Sequence, residues 1–350
     1  MRVRSTRVAA ALFAAGAVLL GAAACATDNG DEPGNPDSDG SITLYSGRNE
    51  SLIGPLLQQF TAETGIQVEV RYGDTAQMAA QLLNEGERTP ADVYLAQDAG
   101  ALGAVANSGM FATLPPEVVE QVSAMYRHSD GEWIGITGRS RVLIYHPDLV
   151  DAEELPDSVL DLTEPHWNGR IGLAPTNGSF QAFVTALRVQ HGDDAARAWL
   201  EGMAGNDPQI RESNGPIVAD VIDGRIDAGL TNHYYLFERA KELGVDVDEM
   251  SARLHYFPGG DTGALINISG IGVLDHAADD PDVRAFVDYL LSEQGQWYFA
   301  EQTSEYPMVG DLPGPAGAPS LEELQAPDID LNQLDSLEET VTMITESGLA

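Results

Sequence analysis

Strand and helix patterns alternate along this chain, and that alternation constrains its fold most. Ile42-Thr43-Leu44-Tyr45 reads as a strand closed by a turn at Ser46-Gly47. Residues 52–64 set Leu52, Ile53, Leu56, Leu57 and Phe60 on one helical face, and Gly65 ends the helix. Gln67–Val70 alternates as a second strand, and a helix from Thr75 to Asn84 stops at Gly86. Asp92–Ala96 makes a third strand, followed by a short helix over 98–107 that ends near Gly109. Three strands with helices between them, all within residues 42–107, imply βαβ units on a mainly parallel sheet.

The rhythm restarts at residue 139. Arg141–Tyr145, Gly169–Ala174, Ile226–Leu230 and Gly270–Leu274 read as strands. Phe180–His191, Ala195–Met203, 281–293 and 295–302 read as helices, and Leu321–Ala350 as acidic amphipathic helix with loop. Two α/β halves are expected, with any ligand at strand C-terminal ends between them. The 350 residues suffice for one large or two medium domains.

The N-terminus points to export. Arg2, Arg4 and Arg7 precede an apolar run from Val8 to Ala24, the pattern of a signal peptide over 1–24. The run ends in Gly21-Ala22-Ala23-Ala24-Cys25, which resembles the lipobox of bacterial lipoproteins, with Ala22 where Leu is usual. Cys25 is the single cysteine, and the resemblance makes it the lipid-bearing residue; a plain secretory signal with a chance cysteine is the other reading. Residues 25–40 contain no large apolar residue and read as a flexible acidic tether.

Acidic residues outnumber basic ones 55 to 18, so the field around the chain repels phosphate backbones and anionic membranes alike. Nucleic acid is excluded as a partner, and the membrane is reached only through the N-terminal lipid. A single cysteine excludes an intramolecular disulfide and a thiolate zinc cluster. The seven histidines form no HxH, HxxxH or HExxH pair, and no GxSxG elbow, Walker loop or GxGxxG is present. With no catalytic motif, an enzyme is not expected.

Polar positions where strands meet turns remain. Thr231-Asn232-His233-Tyr234-Tyr235 follows the strand ending at Leu230. Consecutive tyrosines there point different ways, one into the core and one to the rim, unless an irregular turn brings both phenols together in a cleft. Phenolates are hard anionic ligands, and with a free pKa of about 10 they need a strongly Lewis-acidic metal to ionise them near neutral pH. Ala174-Pro175-Thr176-Asn177-Gly178-Ser179-Phe180 is a strand end and glycine turn running into a helix. It reads either as an ordinary N-cap or as an anion site built on free backbone N–H groups.

The stretches YSGRNE (45–50), PADVYLAQD (90–98), TGRSRVLIY (137–145), HWNGRIGLAPTNGSF (166–180), ESNGPIVADVIDGRIDAGLTNHYY (212–235) and EYPM (305–308) occur in that order. Together they resemble the ferric-ion-binding, periplasmic-type substrate-binding proteins of bacterial ABC iron importers, over residues 41 to about 345. The resemblance implies a type II periplasmic-binding-protein fold of two α/β lobes: 41–139 plus 265–315, and 140–264 plus 316–350. It places Fe(III) on Tyr234 and Tyr235, with phosphate or carbonate as synergistic anion at Asn177, Gly178 and Ser179. Asn214, Asn232 and Arg139 are implied to line that anion pocket. It also implies a monomer that delivers iron to an ABC permease and its ATPase.

Two positions depart from the family pattern. Relatives with this kind of anion turn supply a histidine and a glutamate from the first lobe, where this chain has Asn49 and Gln97. Other relatives carry a third tyrosine just after the turn, where Phe180 stands here. Glu50 and Asp98 adjoin the two amides, but neighbours on a strand or early helix point to different sides, so both carboxylates are expected to face away. The amides keep open a second reading, the same fold binding a phosphonate, thiamine or a polyamine.

Overall fold

The computed structural model describes residues 40–310 and 312–350. The expected signal peptide 1–24, Cys25 and the tether up to residue 39 lie outside the described residues. Ten strands follow in chain order: β1 Ser41–Ser46, β2 Gln67–Tyr72, β3 Val93–Ala96, β4 Ile134–Tyr145, β5 Ile171–Leu173, β6 Gln209–Ile210, β7 Ala228–Asn232, β8 Arg253–His255, β9 Ile266–Val273 and β10 Tyr306–Pro307. The first six helices are α1 Glu50–Thr64, α2 Thr75–Glu85, α3 Ala99–Ala106, α4 Pro116–Val119, α5 Gly178–His191 and α6 Asp193–Gly205. Five more follow: α7 Asn214–Ile222, α8 Tyr234–Leu243, α9 Pro281–Leu291, α10 Glu293–Gln302 and α11 Leu337–Glu346.

The strands join in the order β2-β1-β3-β9-β4-β7-β5-β6, with β8 and β10 also on β4. In one wing β1 lies parallel to β2 and β3; in the other β5 lies parallel to β6 and β7. The centre is antiparallel, so the sheet is mixed. The first part of β4 pairs with β9 and its last five residues pair with β7, so one strand serves both wings. Ile144, Ala174, Ile217, Val218, Leu236 and Ala240 form a buried cluster that seats α7 and α8 on the second wing.

β4 runs well beyond its expected start, and α7 is a helix that the sequence pattern did not indicate. β4 begins at Ile134 rather than Arg141, because Gly135 and Gly138 interrupt the apolar alternation. Gly135 is needed there: a Cβ would come 2.8 Å from the Tyr126 carbonyl oxygen. Helix α7 begins at Asn214-Gly215-Pro216, a tripeptide that reads as loop. Proline is tolerated in a first turn because its missing N–H would have no helical partner.

Candidate functional site

The tyrosine pair does not follow an irregular turn. β7 continues to Asn232, His233 alone makes the connection, and Tyr234 and Tyr235 are the first two residues of α8. Their rings stack at 4.3 Å between centroids with an interplanar angle of 25°. Tyr234 is 3% exposed and Tyr235 half-buried. Among the described residues neither phenol oxygen makes a hydrogen bond. Burial, and then the neighbouring Tyr235, hold the Tyr234 phenol well above its ordinary pKa, while Arg48 and Arg139 pull it the other way. An empty site therefore keeps Tyr234 neutral.

Three buried arginines lie near this pair: Arg48 after β1, and Arg139 and Arg141 on β4. Arg48 Nη2 donates to Glu305 Oε2 at 2.8 Å, and Arg139 Nη1 lies 4.0 Å from Glu305 Oε1. Arg141 has no carboxylate within ion-pair distance among the described residues. Burial pushes its guanidinium down to about 9, and the two nearby phenols act in the opposite sense. A buried cation in that state has a strong electrostatic call for an anion.

The turn before α5 has the anion-pocket residues gathered around it. Asn177 caps the helix, its Oδ1 accepting from Ser179 N at 3.1 Å and from Ser179 Oγ at 2.5 Å. Asn214 Nδ2 reaches Ser179 Oγ at 3.2 Å and Asn177 Oδ1 at 3.4 Å. Of the two β4 arginines it is Arg141, not the expected Arg139, that joins them. Arg141 Nη1 lies 3.4 Å from both Ser179 Oγ and Asn232 Oδ1. Arg139 turns instead to the carbonyls of Gln97 and Ile268 and to Ser269 Oγ. Phe180 is fully buried against Phe183 and Trp199, a core residue.

Asn49 and Gln97 line the same cavity of about 450 Å³ as Thr176, Asn177 and Gly178. The wall of that cavity does not include Tyr234 or Tyr235; Arg141 connects the two regions. Of the two adjacent carboxylates, Glu50 stays outside the cavity as expected, but Asp98 lines it. The reason is local. β3 ends at Ala96, and Asp98 adopts an extended conformation as the N-cap of α3, its side chain accepting from Ala101 N. Burial raises its carboxyl pKa, against the capping bond and the Arg139 charge. No group of three or more His, Cys, Asp or Glu side chains among the described residues is placed to hold a metal ion.

The family profile of bacterial extracellular solute-binding proteins matches residues 88–336. The chain belongs to that family. Its similarity to the Fe(3+)-binding periplasmic protein of Serratia marcescens is 34% identity, covering all of this chain and 99% of that one. Iron-bound HitA from Pseudomonas aeruginosa shares the fold at a TM-score of 0.83 and 35% identity, over 88% of this chain and 99% of HitA. The Trichodesmium protein IdiA, solved with iron and citrate ligands, gives 0.74 and 26%, over 89% and 100%. The fold is thus the type II periplasmic-binding-protein fold. No helix among the described residues is long and apolar enough to cross a membrane.

Arg48, Arg141, Glu305 and Asp98 were not among the expected site residues of this solute-binding protein. Arg139 and Arg141 stand two apart on a strand and so share a face, a signal that was present in the sequence.

Proposed function

We propose that this solute-binding protein captures ferric iron outside the cytoplasm and delivers it to a membrane permease and its ATPase. The observation that carries this is the stacked Tyr234–Tyr235 pair, whose phenol oxygens lack hydrogen-bond partners among the described residues and lie near three buried guanidiniums. A hard trivalent cation is strong enough to displace both phenolic protons and to tolerate the desolvated surroundings. The names of the relatives from Serratia and Pseudomonas support the same cargo.

The site needs an anion as well. Fe(III) with two phenolates keeps one positive charge, and it would sit beside the buried Arg48, Arg139 and Arg141, of which Arg141 has no carboxylate partner among the described residues. Phosphate or carbonate at Asn177, Gly178, Ser179, Asn214 and Asn232, facing Arg141, supplies the balance. Asn49 and Gln97 contribute neutral amide oxygens from across the cleft. The two lobes, 41–139 with 265–315 and 140–264 with 316–350, close on the ligand by a hinge at the crossing strands. Cys25 carries a lipid that anchors the monomer to the outer face of the cell membrane.

Equilibrium dialysis of the purified protein against Fe(III) nitrilotriacetate, with thiamine, a phosphonate and spermidine as competitors, tests this reading. One iron per chain, undisturbed by the competitors, is the expected result. Retention of a competitor with no iron uptake would overturn it.

A further inference from the structure

Asp98 faces the start of α5 across the cavity. A Cβ built on Gly178 would lie 3.8 Å from Asp98 Oδ2, with no other heavy atom within 4 Å. The turn and this carboxylate oxygen therefore flank the same open space. Asp98 is 9% exposed, and its other oxygen is held at 2.9 Å by Ala101 N, so the carboxylate is fixed in orientation. Its nearby cation, Arg139, is already engaged with Ser269, Ile268 and Glu305.

Asp74 and Glu212 also line the cavity, while donors gather on the buried side of the turn, where Arg141 Nη1 and Asn214 Nδ2 approach Ser179 Oγ. Arg141 Nε, buried and without a hydrogen-bond partner, adds one more. Asn214 Oδ1, also buried and without a partner, is an unsatisfied acceptor in the same cluster. An oxyanion seated on the turn would meet guanidinium and amide hydrogens on one side and an acceptor-only carboxylate on the other. Two bare oxygens cannot share that contact without repulsion, whereas an O–H between them makes a short, charge-assisted hydrogen bond.

We propose that the pocket takes its anion as a protonated oxyanion, hydrogen phosphate or hydrogen carbonate, and that Asp98 is the specificity-determining residue that rejects unprotonated ones such as sulfate. This rests on the reading that the turn at residues 176–179 holds an anion. Sulfate matches phosphate in shape but carries no proton at neutral pH, so it leaves Asp98 facing an oxygen lone pair. Leaving such a group unpaired weakens binding on the order of 10- to 100-fold.

Calorimetric titration of the iron-free protein with sodium phosphate and sodium sulfate, at pH 7 and matched ionic strength, tests the assignment. Wild type should bind phosphate on the order of 10- to 100-fold more tightly than sulfate. In Asp98→Asn the ratio should fall to within about threefold, chiefly through a gain in sulfate affinity, because the amide now donates a hydrogen. Asparagine is an equally good N-cap, so α3 should be retained, which circular dichroism checks. Equal affinities in wild type, an unchanged ratio in Asp98→Asn, or no binding of either anion would each overturn the proposal. The titration contains no iron, so failure of the iron reading shows separately, in the dialysis experiment.

Discussion

Arg48 Nη2 lies 2.8 Å from Glu305 Oε2, and the pair joins residues 257 positions apart with both side chains shut away from solvent. Arg139 stands at 4.0 Å from the other oxygen of the same carboxylate, so one anion serves two buried cations. Removing it takes the ion-pair partner from both. Glu305→Ala should lower stability by about 3–5 kcal/mol, read from urea denaturation at pH 7. A loss below about 1 kcal/mol would mean that this ion group does not hold the site together.

Arg141 should behave in the opposite way. It is a buried guanidinium with no carboxylate partner among the described residues, so Arg141→Met should leave the iron-free protein as stable, or more stable by about 1–2 kcal/mol. The same change removes the cation that faces the anion turn. Iron retention against citrate in phosphate buffer should then fall about tenfold or more. Unchanged retention would show that Arg141 takes no part in holding the anion.

Glu238 on α8 gives a pH signature. Burial, and then the charge of Glu305, push its carboxyl up to about 7 from the usual 4.5. The unfolded chain ionises this group at lower pH than the folded one. Its contribution to stability is therefore present below about 4.5 and is lost as pH rises through 7. Glu238→Gln should gain about 1–2 kcal/mol at pH 8, after discounting for partial exposure, and nothing at pH 4. Thermal unfolding at the two pH values checks it; an equal gain at both would remove titration as the cause.

Much of the site was legible because it lies at strand ends, where local patterns are strong. The turn from Ala174 to Phe180 and the pair at Tyr234 could be placed from the strands before them. What escaped depends on tertiary placement. In a chain this acidic, charged residues read as surface, so nothing local marks Arg48, Arg141 or Glu305 as buried. Asp98 escaped for a conformational reason: its extended N-cap geometry turns the carboxylate into the cavity beside Gln97, although neighbours on a strand face opposite ways. The central antiparallel pairing of β4 with β9 was likewise hidden, since glycines broke the pattern that would have extended both strands.

Gln97 offers a gain-of-function test. It lines the cavity as a neutral amide, and Gln97→Glu would place an anionic oxygen there. Iron should be held about tenfold more tightly against citrate, with less dependence on added phosphate, because a charged ligand acts strongly in a partly desolvated cleft. Weaker binding in the variant would indicate that residue 97 does not approach the metal.

The central claim is that Tyr234 and Tyr235 bind Fe(III) as phenolates, and the visible spectrum tests it most directly. On addition of ferric citrate the wild-type protein should develop a broad phenolate-to-iron charge-transfer band and an orange to red colour. Tyr234→Phe and Tyr235→Phe should each weaken or abolish that band, because each loses an anionic ligand to a trivalent ion. A wild-type band that survives intact in both variants would contradict the assignment.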